Sequence, residues 1–70
     1  MLAAEARDHT GSPISPYARV IGQRQRLATV TDVGTLAGRP VVYLMWDPRH
    51  HLAARRDTVV ASAVRVVGRR

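Results

Sequence analysis

Residues 58–67, with the sequence Thr-Val-Val-Ala-Ser-Ala-Val-Arg-Val-Val, support two interpretations that lead to different architectures. In the helical interpretation, Asp47 is an N-cap, Pro48 follows at the first helical position and Gly68 ends the helix. In the strand interpretation, a loop runs through Asp57 and the valines return to a sheet. Because valine and threonine are disfavoured in helices, we favour strands. A two-stranded hairpin followed by one C-terminal helix (ββα) stays open as the alternative.

The order of residues in this segment resembles the closing segment of SH3-like small barrels, in which a short strand enters a tight helical turn and a final strand follows. Here Val59-Val60 would be the strand, residues 61–63 the turn and residues 64–67 the final strand. Glycines at positions 22, 34 and 38 fit the same layout. The resemblance covers residues 18–67 at the level of fold and identifies no specific family. It implies a mostly β protein, a small SH3-like barrel of about five short strands.

Residues 39–47 give the clearest local strand pattern. Their central part is a continuous run of β-branched, aromatic and other apolar residues, which predicts a strand with both faces at least partly covered. Alternation places Val42, Leu44 and Trp46 on one face and Val41, Tyr43 and Met45 on the other. We expect the face with Trp46 to point inward.

The preceding residues 17–33 are rich in valine, isoleucine and threonine, and they are followed by a loop predicted over residues 34–38. Together with the strand that follows, they predict a β-hairpin. Gly22 predicts a bulge or a division into two strands, one near residues 19–21 and one near residues 24–33.

Composition changes once along the chain, near residue 17. Residues 1–16 contain a cluster of turn-forming residues, Gly11, Ser12, Pro13, Ser15 and Pro16. We therefore predict a flexible N-terminal tail over residues 1–16, a single domain over residues 17–67 and a basic C-terminal end over residues 68–70. Removal of residues 1–15 should leave the fold intact.

All basic side chains are arginines, eleven against five acids, and the net charge is +6. Because a guanidinium binds phosphate and carboxylate in a bidentate way, this charge favours nucleic acid or an acidic protein surface as partner. GC-rich coding also favours arginine over lysine, so genome composition stays open as the other explanation. A chain this short buries only about 60% of its unfolded surface. We therefore also expect a homodimer or a subunit of a larger complex.

The sequence lacks motifs for catalysis or cofactor binding. His50 and His51 are adjacent, so their side chains point in different directions and do not match a metal-binding spacing. The serines lie in no nucleophile motif, and Gly34 and Gly38 lack the lysine of a phosphate-binding loop. We expect a non-enzymatic protein with no catalytic residue, metal or cofactor. The longest apolar run, residues 41–46, is too short to cross a bilayer, so we expect a cytoplasmic location and no membrane partner.

Two groups of residues are the main binding candidates. Arg24 and Arg26 would lie on the same face of an extended strand and form a short basic ladder, with glutamines between them. The second group borders the loop after the predicted strand and consists of Trp46, Arg49, Arg55 and Arg56. A basic loop beside an exposed aromatic ring is typical of single-stranded nucleic-acid binders. Trp46 also fits the interpretation of an ordinary core residue.

These observations lead to two functional hypotheses. The first is a small basic binding module that contacts nucleic-acid phosphates with little sequence specificity, as an accessory to transcription, translation or a phage or plasmid process. The alternative is a protein–protein interaction module or assembly subunit, docking on an acidic partner through a sheet edge or a surface with Tyr17, Tyr43 and Trp46.

Overall fold

The computed structural model describes residues 6–48 and 53–68. These residues form one antiparallel sheet of five strands, β1 Arg19–Ile21, β2 Leu27–Leu36, β3 Arg39–Trp46, β4 Arg55–Val60 and β5 Arg65–Gly68, in the order β4-β3-β2-β1-β5. Two short 3-10 turns, Gln23–Gln25 and Ala61–Ala63, are the helical elements of this part of the chain. The prediction of a mostly β fold is confirmed, and the ββα alternative is wrong.

The closing segment has the predicted strand, turn and strand. Val60 ends β4, Ala61–Ala63 is the turn, and β5 begins at Arg65. Ala61 and Val64 are buried in the core, so the turn is held by packing. The strand β4 begins at Arg55, where the sequence predicts a loop through Asp57, because residues 55–60 pair along β3 as far as Trp46.

The β2–β3 hairpin turns more tightly than predicted. The strand β2 continues to Leu36, and the reversal uses only Ala37 and Gly38, whose φ values are 51° and 78°. Two left-handed residues in succession are typical of a two-residue type I′ turn. Gly34 lies inside β2 and not in the loop. The ring of Tyr43 packs against its backbone, since a Cβ there would be 3.0 Å from Cε2 of Tyr43.

The core lies on the face of the sheet that carries Trp46. Val42, Leu44 and Trp46 are all buried, which confirms the predicted inward face of β3. They belong to one hydrophobic cluster with Ala6, Ile14, Val20, Ala28, Val30, Ala61 and Val64. On the opposite face, Val41 is buried as well, and Tyr43 and Met45 are half-buried.

Residues 6–16 form a compact loop on the sheet, where the sequence predicts part of a flexible tail. Ala6 and Ile14 retain only 5% and 4% of their accessible surface and belong to the hydrophobic cluster. The backbone N–H of Ile14 donates to the carbonyl of Ala6, and that of His9 donates to the carbonyl of Val64. Residues 6–16 therefore belong to the folded part and not to a tail, and residues 1–5 lie outside the described part.

The carboxylate of Asp8 organises this loop. Its Oδ1 accepts hydrogen bonds from the backbone N–H groups of Thr10 and Ser12 and from Oγ1 of Thr10, at 2.7 to 2.9 Å. Its Oδ2 accepts one from the N–H of Val66 in β5, at 2.7 Å. Burial raises the pKa of Asp8, but these hydrogen bonds together outweigh burial and lower it to about 2. The charged side chain therefore fastens the loop to the outer edge of the sheet.

In residues 6–48 and 53–68, no helix has the length and apolar composition that a membrane span requires.

Candidate functional site

Trp46, the last residue of β3, is enclosed by its neighbours. The six-membered part of its ring lies directly on the backbone of Gly22, where a Cβ would be only 2.5 Å from Cη2. The indole Nε1 donates a hydrogen bond of 3.0 Å to Oδ2 of Asp57. The guanidinium of Arg26 lies over the ring, with Cζ 5.2 Å from its centroid, a favourable cation–π distance. Since the side chain is only 9% exposed, Trp46 is a core residue and does not offer its own ring to a ligand.

Asp57 is held in place by two donors. Besides the indole, the backbone N–H of Thr58 donates to its Oδ1 at 2.8 Å. The hydrogen bond from Trp46, followed by that from Thr58, lowers the pKa of Asp57, so this carboxylate is ionised at neutral pH. The negative charge of Asp57 is therefore held next to Trp46, at the end of β3.

Arginines 24, 26 and 55 surround this end of the sheet. They line one open groove of about 270 Å³ with Gln23, Trp46 and Asp57; we call it the basic groove. It carries three guanidiniums against one carboxylate, which already accepts two hydrogen bonds.

The predicted Arg24–Arg26 ladder is wrong. The N–H of Gly22 donates to the carbonyl of Arg26 at 2.8 Å, which closes a turn between β1 and β2. Arg24 lies in that turn with φ 58°, and β2 begins only at Leu27. The two arginines meet in the groove because a turn folds them toward Trp46, and not because they alternate along a strand.

The charge of a further arginine, Arg19, is balanced by an aspartate. Arg19 in β1 forms a two-pronged ion pair with Asp47, and its Nη1 also donates to Oγ1 of Thr29 at 2.7 Å. The hydrogen bonds from Arg19 lower the pKa of Asp47. Since both partners are charged at neutral pH, this pair adds no net charge to the surface beside the basic groove.

Arg56 does not line the basic groove, where the other predicted site residues of the described part lie, namely Arg24, Arg26, Trp46 and Arg55. Neighbours in a strand point to opposite faces, so Arg56 lies on the face away from Arg55. It lines another groove of about 670 Å³ with Thr31, Tyr43, Met45, Asp57 and Thr58, among others; we call it the outer groove, and Asp57 lines it as well as the basic groove. Tyr43 and Trp46 therefore occupy different faces and do not form one docking surface. Arg49, with His50 and His51, lies outside the described residues.

Sequence interpretation missed several parts of the site. Gly22 permits the close approach of the indole, and Asp57 satisfies its N–H; neither role has a local signal in the sequence. A neighbouring groove shares Gln23 with the basic groove and is lined by His9 and Arg65 among others. His9 could not be placed there from the sequence, because it belongs to the segment interpreted as a tail.

Comparison of the chain with protein-family models, with curated proteins and with solved structures gave no match. The resemblance to SH3-like barrels stays a prediction. The described residues contain no group of three or more histidine, aspartate or glutamate side chains that could hold a metal ion. The groups that line the basic groove are three guanidiniums, one carboxylate, one amide side chain and a covered indole.

Proposed function

We propose that this chain is a small nucleic-acid-binding module that contacts phosphates through the basic groove. The observation that carries the proposal is the convergence of Arg24, Arg26 and Arg55 around one groove. Guanidiniums bind phosphate oxygens in a bidentate way and keep their charge at any physiological pH. Asp57, the carboxylate in the groove, accepts hydrogen bonds from the indole and a backbone N–H, and the nearby charge of Arg55 also lowers its pKa; the groove therefore holds three guanidiniums beside one carboxylate.

The adjoining groove supports a ligand longer than one phosphate. His9 and Arg65 line it, and it meets the basic groove at Gln23. A polar and mainly positive surface thus continues from β5 to β4 across one end of the sheet. Contacts of this kind position a nucleic-acid backbone and carry little sequence information.

The test is a titration of the purified protein with a labelled single-stranded oligonucleotide at two salt concentrations, followed by fluorescence anisotropy. Arg24→Ala and Arg55→Ala should each weaken binding and reduce the slope of log affinity against log salt by about one. The matched control is Arg39→Ala, since Arg39 is exposed and begins β3 at the end away from Trp46. Absence of binding at low salt, or equal losses in all three variants, would refute the proposal.

The outer groove favours a second candidate, a protein-docking module. Half-buried Tyr43 and Met45 form part of its lining, Arg56 supplies a positive charge near the carboxylate of Asp57, and β4 has no second neighbour among the described strands. An extended acidic peptide would fit such a sheet edge. Under this hypothesis Arg56→Glu abolishes binding of a glutamate-rich peptide, whereas Arg24→Ala leaves it unchanged. Undiminished peptide binding by Arg56→Glu would count against the outer groove.

A further inference from the structure

We propose that the basic groove takes an unpaired nucleotide, whose base stacks on the guanidinium of Arg26. This inference rests on the proposed function and deepens it, because it names single-stranded nucleic acid as the ligand class and assigns a base-contacting residue. Phosphate contact alone gives no preference for a single strand, because a duplex carries the denser phosphate charge.

The guanidinium of Arg26 is positioned before any ligand binds. Its Cζ lies 5.2 Å from the centroid of the Trp46 ring, and its Nη2 lies 3.4 Å from the carbonyl oxygen of Asp47. The indole beneath it is fixed in turn by Gly22 and by Asp57. A planar group held in this way loses little conformational entropy when a ligand stacks on it.

Arg26, and not Trp46, would contact the base, because the indole of Trp46 is covered. Trp46 is 9% exposed, whereas Arg26 is half-buried and lines the basic groove. Unpaired bases stack on arginine planes as well as on aromatic rings. The arrangement would be a three-layer stack of indole, guanidinium and base, in which the buried ring supports the layer that contacts the ligand.

The rest of the groove supplies the other contacts that a nucleotide needs. The guanidiniums of Arg24 and Arg55 are suited to its phosphates, and the amide of Gln23 offers both donors and an acceptor to a base edge. In a duplex the base faces are hidden in the stack, so a duplex could reach these arginines with its phosphates and base edges but offers Arg26 no base face.

The backbone of the turn supports the same interpretation. Arg24 and Gln25 have φ values of 58° and 62°, a left-handed conformation that residues other than glycine, asparagine and aspartate seldom adopt. Such residues are concentrated at ligand clamps, where the surrounding structure holds them in place. Here the left-handed turn keeps Arg24 beside Arg26 at the groove.

The experiment compares three probes of equal length: a single-stranded oligonucleotide, the same strand with abasic sites throughout, and the duplex. The wild-type protein should bind the base-bearing strand about tenfold more tightly than the abasic strand, as expected for one stacked base. Emission from Trp46, the single tryptophan of the chain, should change with the base-bearing strand and much less with the abasic strand.

Arg26→Lys keeps the charge and removes the planar group. This variant should bind both single strands with the affinity that the wild type shows for the abasic strand. Arg24→Lys is the matched control and should retain the preference for bases. Thermal unfolding measured by circular dichroism checks that both variants fold; if Arg26→Lys does not, equal wild-type affinity for the two strands still overturns the inference.

The outcomes separate this inference from the proposed function. Equal wild-type affinity for the intact and abasic strands, or a preference that survives in folded Arg26→Lys, would overturn stacking on Arg26 and leave phosphate binding in place. Failure to bind either strand at low salt would overturn both. Equal or tighter binding of the duplex would also overturn the assignment of single-stranded nucleic acid as the ligand class, because a duplex offers the groove phosphates and base edges but no base face.

Discussion

Replacement of Gly22 by alanine should destabilise the protein by about 3 kcal/mol, mainly through overpacking against Trp46. The backbone of Gly22, with φ −110° and ψ −154°, is extended, so alanine adopts it without strain. The added Cβ would lie 2.5 Å from Cη2 and 2.9 Å from Cζ3 of the indole. These distances are far below van der Waals contact, so the ring has to move.

The expected loss of stability is the sum of two costs of displacing the indole ring. Overpacking of a well-packed site typically costs about 1 to 3 kcal/mol. Loss of the hydrogen bond from Nε1 of Trp46 to the charged Asp57 adds roughly 1.5 kcal/mol or more. For a domain of this size each kcal/mol lowers the melting temperature by about 4 to 8 °C, so a loss of about 3 kcal/mol lowers it by about 12 to 24 °C.

Thermal unfolding followed by circular dichroism and by Trp46 emission measures the effect. The control is Gly68→Ala, because a Cβ on Gly68 would meet its nearest neighbour, Cβ of Arg19, at an ordinary 3.8 Å. That variant should melt within a few degrees of the wild type. If Gly22→Ala melts like Gly68→Ala and Trp46 emission is unchanged, the indole does not pack on Gly22 and the account of the site is wrong.

Two further predictions concern the loop over residues 6–16 and the turn that follows it. The folded-state pKa of Asp8, about 2, lies below its unfolded value, so its contribution of roughly 2 kcal/mol is complete above about pH 4 and is lost as pH falls through 2. Asp8→Asn should therefore lower the urea midpoint at pH 7. As pH falls from 4 to 2, the urea midpoint of this variant should decrease less than that of the wild type, and an equally steep decrease would contradict this. Tyr17 is 66% exposed and has φ 70°, so Tyr17→Asn should raise stability by about 0.5 to 1 kcal/mol. A lower urea midpoint for that variant would mean that the exposed ring makes a stabilising contact.

The elements that the sequence predicts well are those with a strong local pattern. In β3 the alternation of side chains assigns Leu44 to the core without any knowledge of its partners. In the closing segment, valines favour strands, and the resemblance of its residue order to SH3-like barrels implies the tight turn at residues 61–63. Both predictions depend on neighbours in sequence, which is why they agree with the structure.

Elements held by distant partners could not be predicted in the same way. The polar residues at 8–12 have the composition of a flexible segment, and only the N–H of Val66 in β5, far along the chain, makes Asp8 a structural residue. Likewise, Gln-Arg-Gln-Arg over residues 23–26 alternates like a strand. The hydrogen bond between Gly22 and Arg26 decides against the strand, and it depends on the pairing of β1 with β2.

The distribution of charge in the structure bears on the choice between a functional arginine surface and genome composition. Asp8, Asp47 and Asp57 are each held by hydrogen bonds that stabilise the fold. Coding bias determines which basic residue is used, but it gives no reason for three guanidiniums to meet at one groove beside an aspartate that is already engaged. A bias alone also predicts that lysine serves as well as arginine wherever only charge matters. The Arg26→Lys comparison therefore tests both the stacking of a base on Arg26 and the origin of the arginine usage. If the arginines reflect coding bias alone, this substitution leaves the preference for the base-bearing strand unchanged.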